Sequence, residues 1–221
     1  MIAKYRTGLI LSVAVLVLAG SLYAETQKPA PAKPSDLRAS DEGARLKSLL
    51  VNDTAMPSLA PQGYDVTIVV FSDYQCPYCR KLHPTLNQLL ASDRKVRIVY
   101  RDWPIFGEAS VEGARVAMAA GYQGKHAAFN DALMAGPVKF TSADIRKAAV
   151  RAGIDWQRLQ IDLKQHQAEI DAGLGRTVQL ARRMGLSGTP ALVIGDYLIP
   201  GAIDAATLRE AVKAVRQGAP K

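Results

Sequence analysis

The sequence predicts an α/β fold built on one βαβ unit, with a helical insertion between the second and third core strands. Three observations lead there. Val66 to Phe71 and Val96 to Trp103 are short apolar, β-branched runs, and the residues between them carry leucines at helical spacing. The stretch from about Glu108 to Met184 is helical in pattern throughout. After it, Pro190 to Ile194 and Tyr197 to Ile199 read as two strands joined by the turn dipeptide Gly195-Asp196, and an amphipathic helix closes the chain.

The chain has 221 residues, 48% of them hydrophobic. That suits one globular domain with an insertion and excludes a disordered or collagen-like chain. Residues 1–24 are set apart. Lys4 and Arg6 precede an apolar run from Leu9 to Ala19, and Gly20, Ser21 and Ala24 supply small residues behind it. This is the layout of a secretory signal peptide, with cleavage expected after Ala24. Leu22 is larger than the residue usual at its place, which leaves the cleavage position open, and an uncleaved membrane anchor is the alternative reading of the segment. The run is shorter than the roughly 20 residues a spanning helix needs. Either way the folded part is expected outside the cytoplasm, in the periplasm. Lys4 and Arg6 account for two of the eight net positive charges. The remaining Lys and Arg are scattered, which reads as a solvated surface and not as a nucleic-acid site.

Residues 25 to 60 are expected to form a linker and a short helix. Three prolines between 25 and 35 suit an extended segment. Leu37, Leu46, Leu49 and Leu50 have helical spacing within 36–50, and Pro57, Pro61 and Gly63 then interrupt the chain. The main domain is expected over 61–218, with the insertion at about 108–186. Pro84 falls inside the first core helix, where it should kink it. Thr141 or Ser142 can cap a helix over Ala143 to Ala152, Gly153 ends it, and Asp155 can cap the next. Gly173 and Gly175 are expected to weaken the stretch before Val178 to Met184. The last helix runs from Asp204 to Val215, with Leu208, Ala211, Val212 and Val215 on one face.

Only two cysteines occur, Cys76 and Cys79, separated by Pro77 and Tyr78. A disulfide closing so small a loop constrains the unfolded chain very little. Reactivity explains the pair better than stapling. Cys76 falls at the junction of strand and helix, where the helix dipole and free N–H groups stabilise a thiolate, and Pro77 fits the first helical turn. Cys76 is therefore expected to be the exposed attacking thiol. Cys79, one turn further in, would resolve the mixed disulfide. Half a zinc site and two inert buried thiols are the other readings of such a pair, and two cysteines rule out a four-cysteine site.

Phe71-Ser-Asp-Tyr-Gln-Cys-Pro-Tyr-Cys79 and Gly188-Thr-Pro-Ala-Leu-Val193 together resemble the bacterial DsbA-like proteins of the thioredoxin superfamily. Pro84, eight residues after the first cysteine, matches the family's kink proline, and the segment from Tyr100 to Gly107 is similar as well. The likeness covers about residues 60 to 218. It implies a thioredoxin fold, a cis peptide bond at Thr189-Pro190, and pairing of the Thr189 backbone with a substrate strand. It also implies dithiol–disulfide exchange on exported proteins, with recycling by a membrane redox partner and no organic cofactor. Pro77, Tyr78 and Asp73 would support the site. One departure stands out: many relatives carry a buried acid where this chain has Val70. That leaves water or Asp73 to take the proton of the inner thiol, and Asp73 is expected to be the more exposed. Pro77-Tyr78 and Thr189 resemble isomerase-leaning and copper-tolerance relatives, whereas the single compact domain resembles monomeric oxidases. The oxidase reading is preferred over an isomerase or reductase, and over a non-enzymatic copper-binding module using the pair. His83 shares a helix face with Cys79, and a partly buried side chain without a ligand role is its simpler reading. His126 and His166 read as surface or packing residues, Trp103 and Trp156 as core or groove walls, and Met118, Met134 and Met184 as core.

Overall fold

The computed structural model describes residues 41–218. The expected signal peptide over 1–24, the proline-containing segment 25–35 and Leu37 lie outside the described residues. In chain order the elements are α1 (Asp41–Val51), β1 (Ser58–Leu59), β2 (Val66–Ser72), α2 (Pro77–Ser92) and β3 (Val96–Asp102). The insertion follows as α3 (Glu108–Gly121), α4 (His126–Met134), α5 (Ser142–Arg151), α6 (Trp156–Gln165) and α7 (Gln167–Arg183). Then come β4 (Ala191–Ile194), β5 (Tyr197–Pro200) and α8 (Ala205–Arg216).

The five strands form one sheet in the order β1-β3-β2-β4-β5. β2 and β3 are parallel, from Val66 opposite Val96 to Ser72 opposite Asp102, and β4 runs antiparallel to β2 with Phe71 opposite Ala191. Central β2 is apolar along nearly its whole length because both sheet faces are covered. Successive side chains point to opposite faces. Val69 and Phe71 therefore join the core shared with the insertion. Val66, Ile68 and Val70 meet Leu82, Leu86 and Leu89 of α2 and Leu208 and Val212 of α8. Burying each of the two α8 side chains contributes about 2 kcal/mol. In the insertion, α3 is the central helix and touches α4, α5, α6 and α7. Its alanines at 114, 117 and 120 are buried, so neighbouring helices approach closely.

Helix ends follow the sequence signals. Thr141, Asp155 and Asp204 each cap a helix by accepting a hydrogen bond from the backbone N–H three residues on. Thr141 and Asp144 complete a capping box.

Three features depart from expectation. α7 continues unbroken through Gly173 and Gly175. At Gly173 a Cβ would lie 2.6 Å from Met56 Cε and 3.0 Å from Met118 Cε, so close packing accounts for that glycine. The two-residue strand β1 was not legible in the sequence; it pairs antiparallel with β3. α1 is also tied down by a buried arginine. Arg101 Nη2 donates to the carbonyls of Leu49 (2.5 Å) and Leu50 (3.2 Å), and Arg97 Nη1 donates to Val51 O (2.9 Å). Arg101 also pairs with Asp53, which Arg176 of α7 reaches at 3.0 Å. Burial pushes the Asp53 carboxyl up, but the two arginines outweigh it and hold it below its ordinary value.

Candidate active site

Cys76 is the N-cap of α2, with extended φ and ψ of −76° and 118°, and Pro77 opens the first helical turn. Pro at this place costs no hydrogen bond, because the first N–H groups of a helix have no intrahelical partner. Both cysteines carry free thiols, and each is only 2% exposed. The expectation of an exposed Cys76 is therefore corrected. The loop before β4 lays the Thr189 carbonyl over it, and Cys76 Sγ donates to Thr189 O at 3.2 Å. The Thr189-Pro190 peptide bond is cis. Pro190 is buried, and its carbonyl accepts from Gly201 N at 2.8 Å, which fixes this loop to the end of β5. Pro77 and Tyr78 are exposed beside the pair, Tyr78 by 64%.

Cys79 sits one turn inside, and the backbone N–H of Asp73 donates to its sulfur at 3.5 Å. Burial pushes the Cys79 thiol up to about 12, while Ser72, the Asp73 amide and Thr189 pull the other way. Burial disfavours the charged form of any thiol, and here it wins over the hydrogen bonds. Val70 is buried on the α2 face of β2 and lines a small cavity together with Cys79.

Asp73 is the second correction. Its side chain is buried, not exposed. Oδ1 accepts from Gln75 N (2.7 Å) and Ser110 Oγ (2.7 Å). Oδ2 accepts from Ile105 N (2.6 Å) and Phe106 N (3.1 Å). A buried carboxylate is tolerated when donors satisfy it in this way. Asp73 thus clamps the loop after β3 onto the loop before Cys76, and Gln75 adds bonds to Phe106 O and Ser110 Oγ. As a result Ile105 and Phe106 stand exposed at 42% and 50%, on a loop held against the active-site loop.

Nothing local in the sequence marks Arg80. Its guanidinium donates to the carbonyls of Tyr74, Leu133, Met134 and Gly136 at 2.7 to 3.2 Å, tying the start of α2 to the C-terminal end of α4. A cation there satisfies carbonyls that a helix leaves unpaired. Burial lowers its pKa, with Asp73 and Cys79 opposing. Tyr74, Asp102 and His126 form a buried polar group behind the pair. Tyr74 Oη lies 3.5 Å from Asp102 Oδ2, and His126 Nε2 lies 3.6 Å from the same oxygen. No local signal marks Ser110, Arg80 or His126, since their partners are distant in sequence. His83 is half-buried on α2, His166 stacks on Tyr122, Trp103 is buried in the core, and Trp156 lines a surface cleft.

Two cysteines at the start of the first core helix, beside a cis proline loop on a mixed sheet, define a thioredoxin-type domain with a helical insertion. The profile of the DSBA-like thioredoxin domain matches residues 67–213, and the chain belongs to that family of thiol–disulfide oxidoreductases. Among solved structures, a thioredoxin-like oxidoreductase from Silicibacter pomeroyi DSS-3 is 39% identical, with 77% of this chain and 98% of that one covered and a TM-score of 0.73. A periplasmic thioredoxin-like protein from Salmonella enterica serovar Typhimurium is 32% identical, covering 76% and 94%, with a TM-score of 0.65. The Na(+)/H(+) antiporter NhaA 1 of Salinispora arenicola (strain CNS-205) is 27% identical over 163 residues, 72% of this chain and 24% of the antiporter. The chain spans about a quarter of the length of the curated relatives it matches.

Proposed function

We propose that this chain is an exported, periplasmic thiol–disulfide oxidase acting on cysteine-bearing exported proteins. Cys76 is the sulfur that substrate engages and Cys79 the inner partner. The observation that carries this reading is the asymmetry of the pair. Cys76 caps the N-terminal end of α2, under the Thr189 carbonyl, while burial keeps the Cys79 thiol neutral. In the oxidised protein a substrate thiolate attacks Cys76, and the electron pair of the broken S–S bond leaves on Cys79, which takes a proton. A second substrate thiolate then attacks the mixed disulfide, its own disulfide forms, and the pair is left reduced. A membrane redox partner accepts these two electrons and restores the disulfide; no cofactor takes part.

The Thr189 backbone offers a substrate strand a partner beside Cys76, and Tyr78, Ile105 and Phe106 give it an apolar flank. Residues 1–24 are the export signal, and the protein works as a monomer. The Salmonella likeness supports the periplasmic location, and none of the described helices is long and apolar enough to cross a membrane. The direction is argued from charge. The positive end of α2 meets the Cys76 sulfur, and Val70 puts no anion beneath it. Both stabilise the reduced form and make the disulfide oxidising. Melting curves of the two redox forms with a glutathione titration test this. The reduced form should melt higher, with a potential nearer about −120 mV than about −270 mV. A more stable oxidised form with a strongly reducing potential would replace the oxidase with an isomerase or reductase.

A further inference from the structure

Resolution of a mixed disulfide at Cys76 requires Cys79 to lose its proton, and the reverse step returns one. The surroundings of Cys79 offer few places for it. Both Asp73 carboxylate oxygens are engaged by four donors from Gln75, Ile105, Phe106 and Ser110. Val70 is apolar. Among the described residues a cavity of about 10 Å³, room for about one water molecule, opens beside Cys79, lined by Val70, Ser72, Cys79, His83, Tyr100 and Asn130 among others. His83 follows Cys79 by four residues, one helical turn along the same face.

The His83 ring is held at both nitrogens. Nε2 lies 3.0 Å from Asp131 Oδ1, and Asn130 Nδ2 approaches Nδ1 at 3.4 Å. Asn87 Nδ2 donates to the same Asp131 oxygen at 3.3 Å and lies beside the ring, 3.2 Å from Nε2. With Nε2–H donated to Asp131, Nδ1 is the acceptor and takes a long hydrogen bond from Asn130 Nδ2, a residue that itself lines the cavity and yields this lone pair to the water when the proton passes. The other end of the path is open: the Asp131 side chain is 57% exposed. Burial pushes the Asp131 carboxyl up, but the His83 hydrogen bond and charge, helped by Asn87 and His126, hold it below its ordinary value, so an anion backs the ring.

We propose that His83, backed by Asp131, relays the Cys79 proton to solvent through one water in the cavity beside the inner thiol. The inference rests on the exchange reaction proposed above and adds a proton path to it. In the resolving step the Cys79 S–H proton passes through the water to His83 Nδ1. The Cys79 sulfur forms a bond to Cys76 Sγ, the bond from Cys76 to the substrate sulfur breaks, and its electron pair leaves with the substrate. When the mixed disulfide comes from an oxidised partner such as glutathione disulfide, the pair is oxidised by two electrons and that partner's disulfide is reduced by two; the oxidase reaction on a substrate runs the same step in reverse and returns the proton to Cys79. His83 acts through the water, so it positions the proton and is not itself a catalytic residue. The titratable groups around it are Cys79 on α2, Tyr100 on β3 and Asp131 on α4, with Asp102 and His126 behind Tyr100.

The test mixes the reduced full-length protein with saturating glutathione disulfide, quenches with acid and follows the glutathione adduct by mass spectrometry. Adduct formation reports Cys76; adduct decay reports Cys79 and takes place when Cys76 has no proton left to titrate. In the unmodified protein the decay rate should rise with pH through a step within about pH 5 to 8, where imidazoles titrate. His83→Gln should slow the decay roughly 10- to 100-fold at neutral pH and abolish the step, with adduct formation changed less than about twofold. Asp131→Asn keeps the imidazole but removes the anion behind it, so its step should move to lower pH, a change that a purely structural role would not produce. A decay rate and pH profile unaltered by either substitution would overturn the relay while leaving the exchange reaction intact. Failure of any adduct to form would instead overturn the exchange reading beneath it.

Discussion

Replacing Asp73 by alanine removes the acceptor for four hydrogen bonds at once. Two of the donors, Gln75 N and Ser110 Oγ, belong to residues that are not exposed: Gln75 is half-buried and Ser110 fully buried. The other two, Ile105 N and Phe106 N, belong to exposed residues and can turn to water when the loop moves. Leaving a buried donor unsatisfied costs about 1–3 kcal/mol. Ser110 Oγ, with the half-buried Gln75 N, therefore sets a loss of about 3–4 kcal/mol, with little added by the loop amides. Urea unfolding of the reduced protein should show this as a lower midpoint at unchanged slope. Thermal unfolding should show it as a drop of about 10 °C, taking about 2–4 °C per kcal/mol for a chain of this size. Exchange should slow as well, since the Asp73 backbone also contacts both cysteines, through Cys76 N at 3.1 Å and Cys79 Sγ at 3.5 Å. A loss below about 1 kcal/mol would refute the clamp, because even one orphaned buried donor accounts for that much.

Cys79 couples stability to pH. Its folded-state pKa, pushed up to about 12, lies above that of an unfolded thiol, so the native protein binds the proton more tightly. Its stabilising effect is complete below about pH 8.5 and is lost as pH rises towards the folded value. Reduced protein should therefore lose about 1–2 kcal/mol by pH 10 relative to Cys79→Ala, in paired urea titrations. A flat difference between the two would contradict the burial argument. Alkylation at pH 8 should label Cys79 poorly while the protein is folded, since only about one molecule in ten thousand carries its thiolate. In α7, Gly175→Ala should stabilise by about 0.5–1 kcal/mol, because a methyl there meets nothing within 4 Å. Gly173→Ala should fall short of that gain, because Met56 and Met118 must give way; equal gains would show that the close approach at Gly173 is unimportant.

Four of the five strands and their order along the chain were legible because local and tertiary signals agree. β-branched runs fall on β2 and β3, a turn dipeptide joins β4 to β5, and Thr141, Asp155 and Asp204 cap the helices they precede. The cysteine pair was legible for the same reason: a strand, a proline at the first helical position and a turn of helix place it. What escaped depends on partners far along the chain. Asp73 looks like a loop residue until Ile105, Phe106 and Ser110 are folded back onto it. Cys76 looks exposed until the Thr189 loop, 113 residues later, closes over it. Gly173 and Gly175 look alike as helix breakers, yet only Gly173 faces methionines from α3 and the segment after α1. Arg80 and Arg101 sit in plain helical and strand patterns, and nothing nearby announces that each will bind carbonyls at the end of another helix.

The central claim is the division of labour between Cys76 and Cys79. It is tested most directly by incubating reduced Cys79→Ala protein with glutathione disulfide, quenching with acid, and mapping the adduct by peptide mass spectrometry. The account predicts one stable glutathione on Cys76 in this variant. It predicts no adduct in Cys76→Ala under the same conditions, and an internal Cys76–Cys79 disulfide in the unmodified protein. Ready glutathionylation of Cys79 in Cys76→Ala, or a Cys76 that stays free in Cys79→Ala, would contradict it.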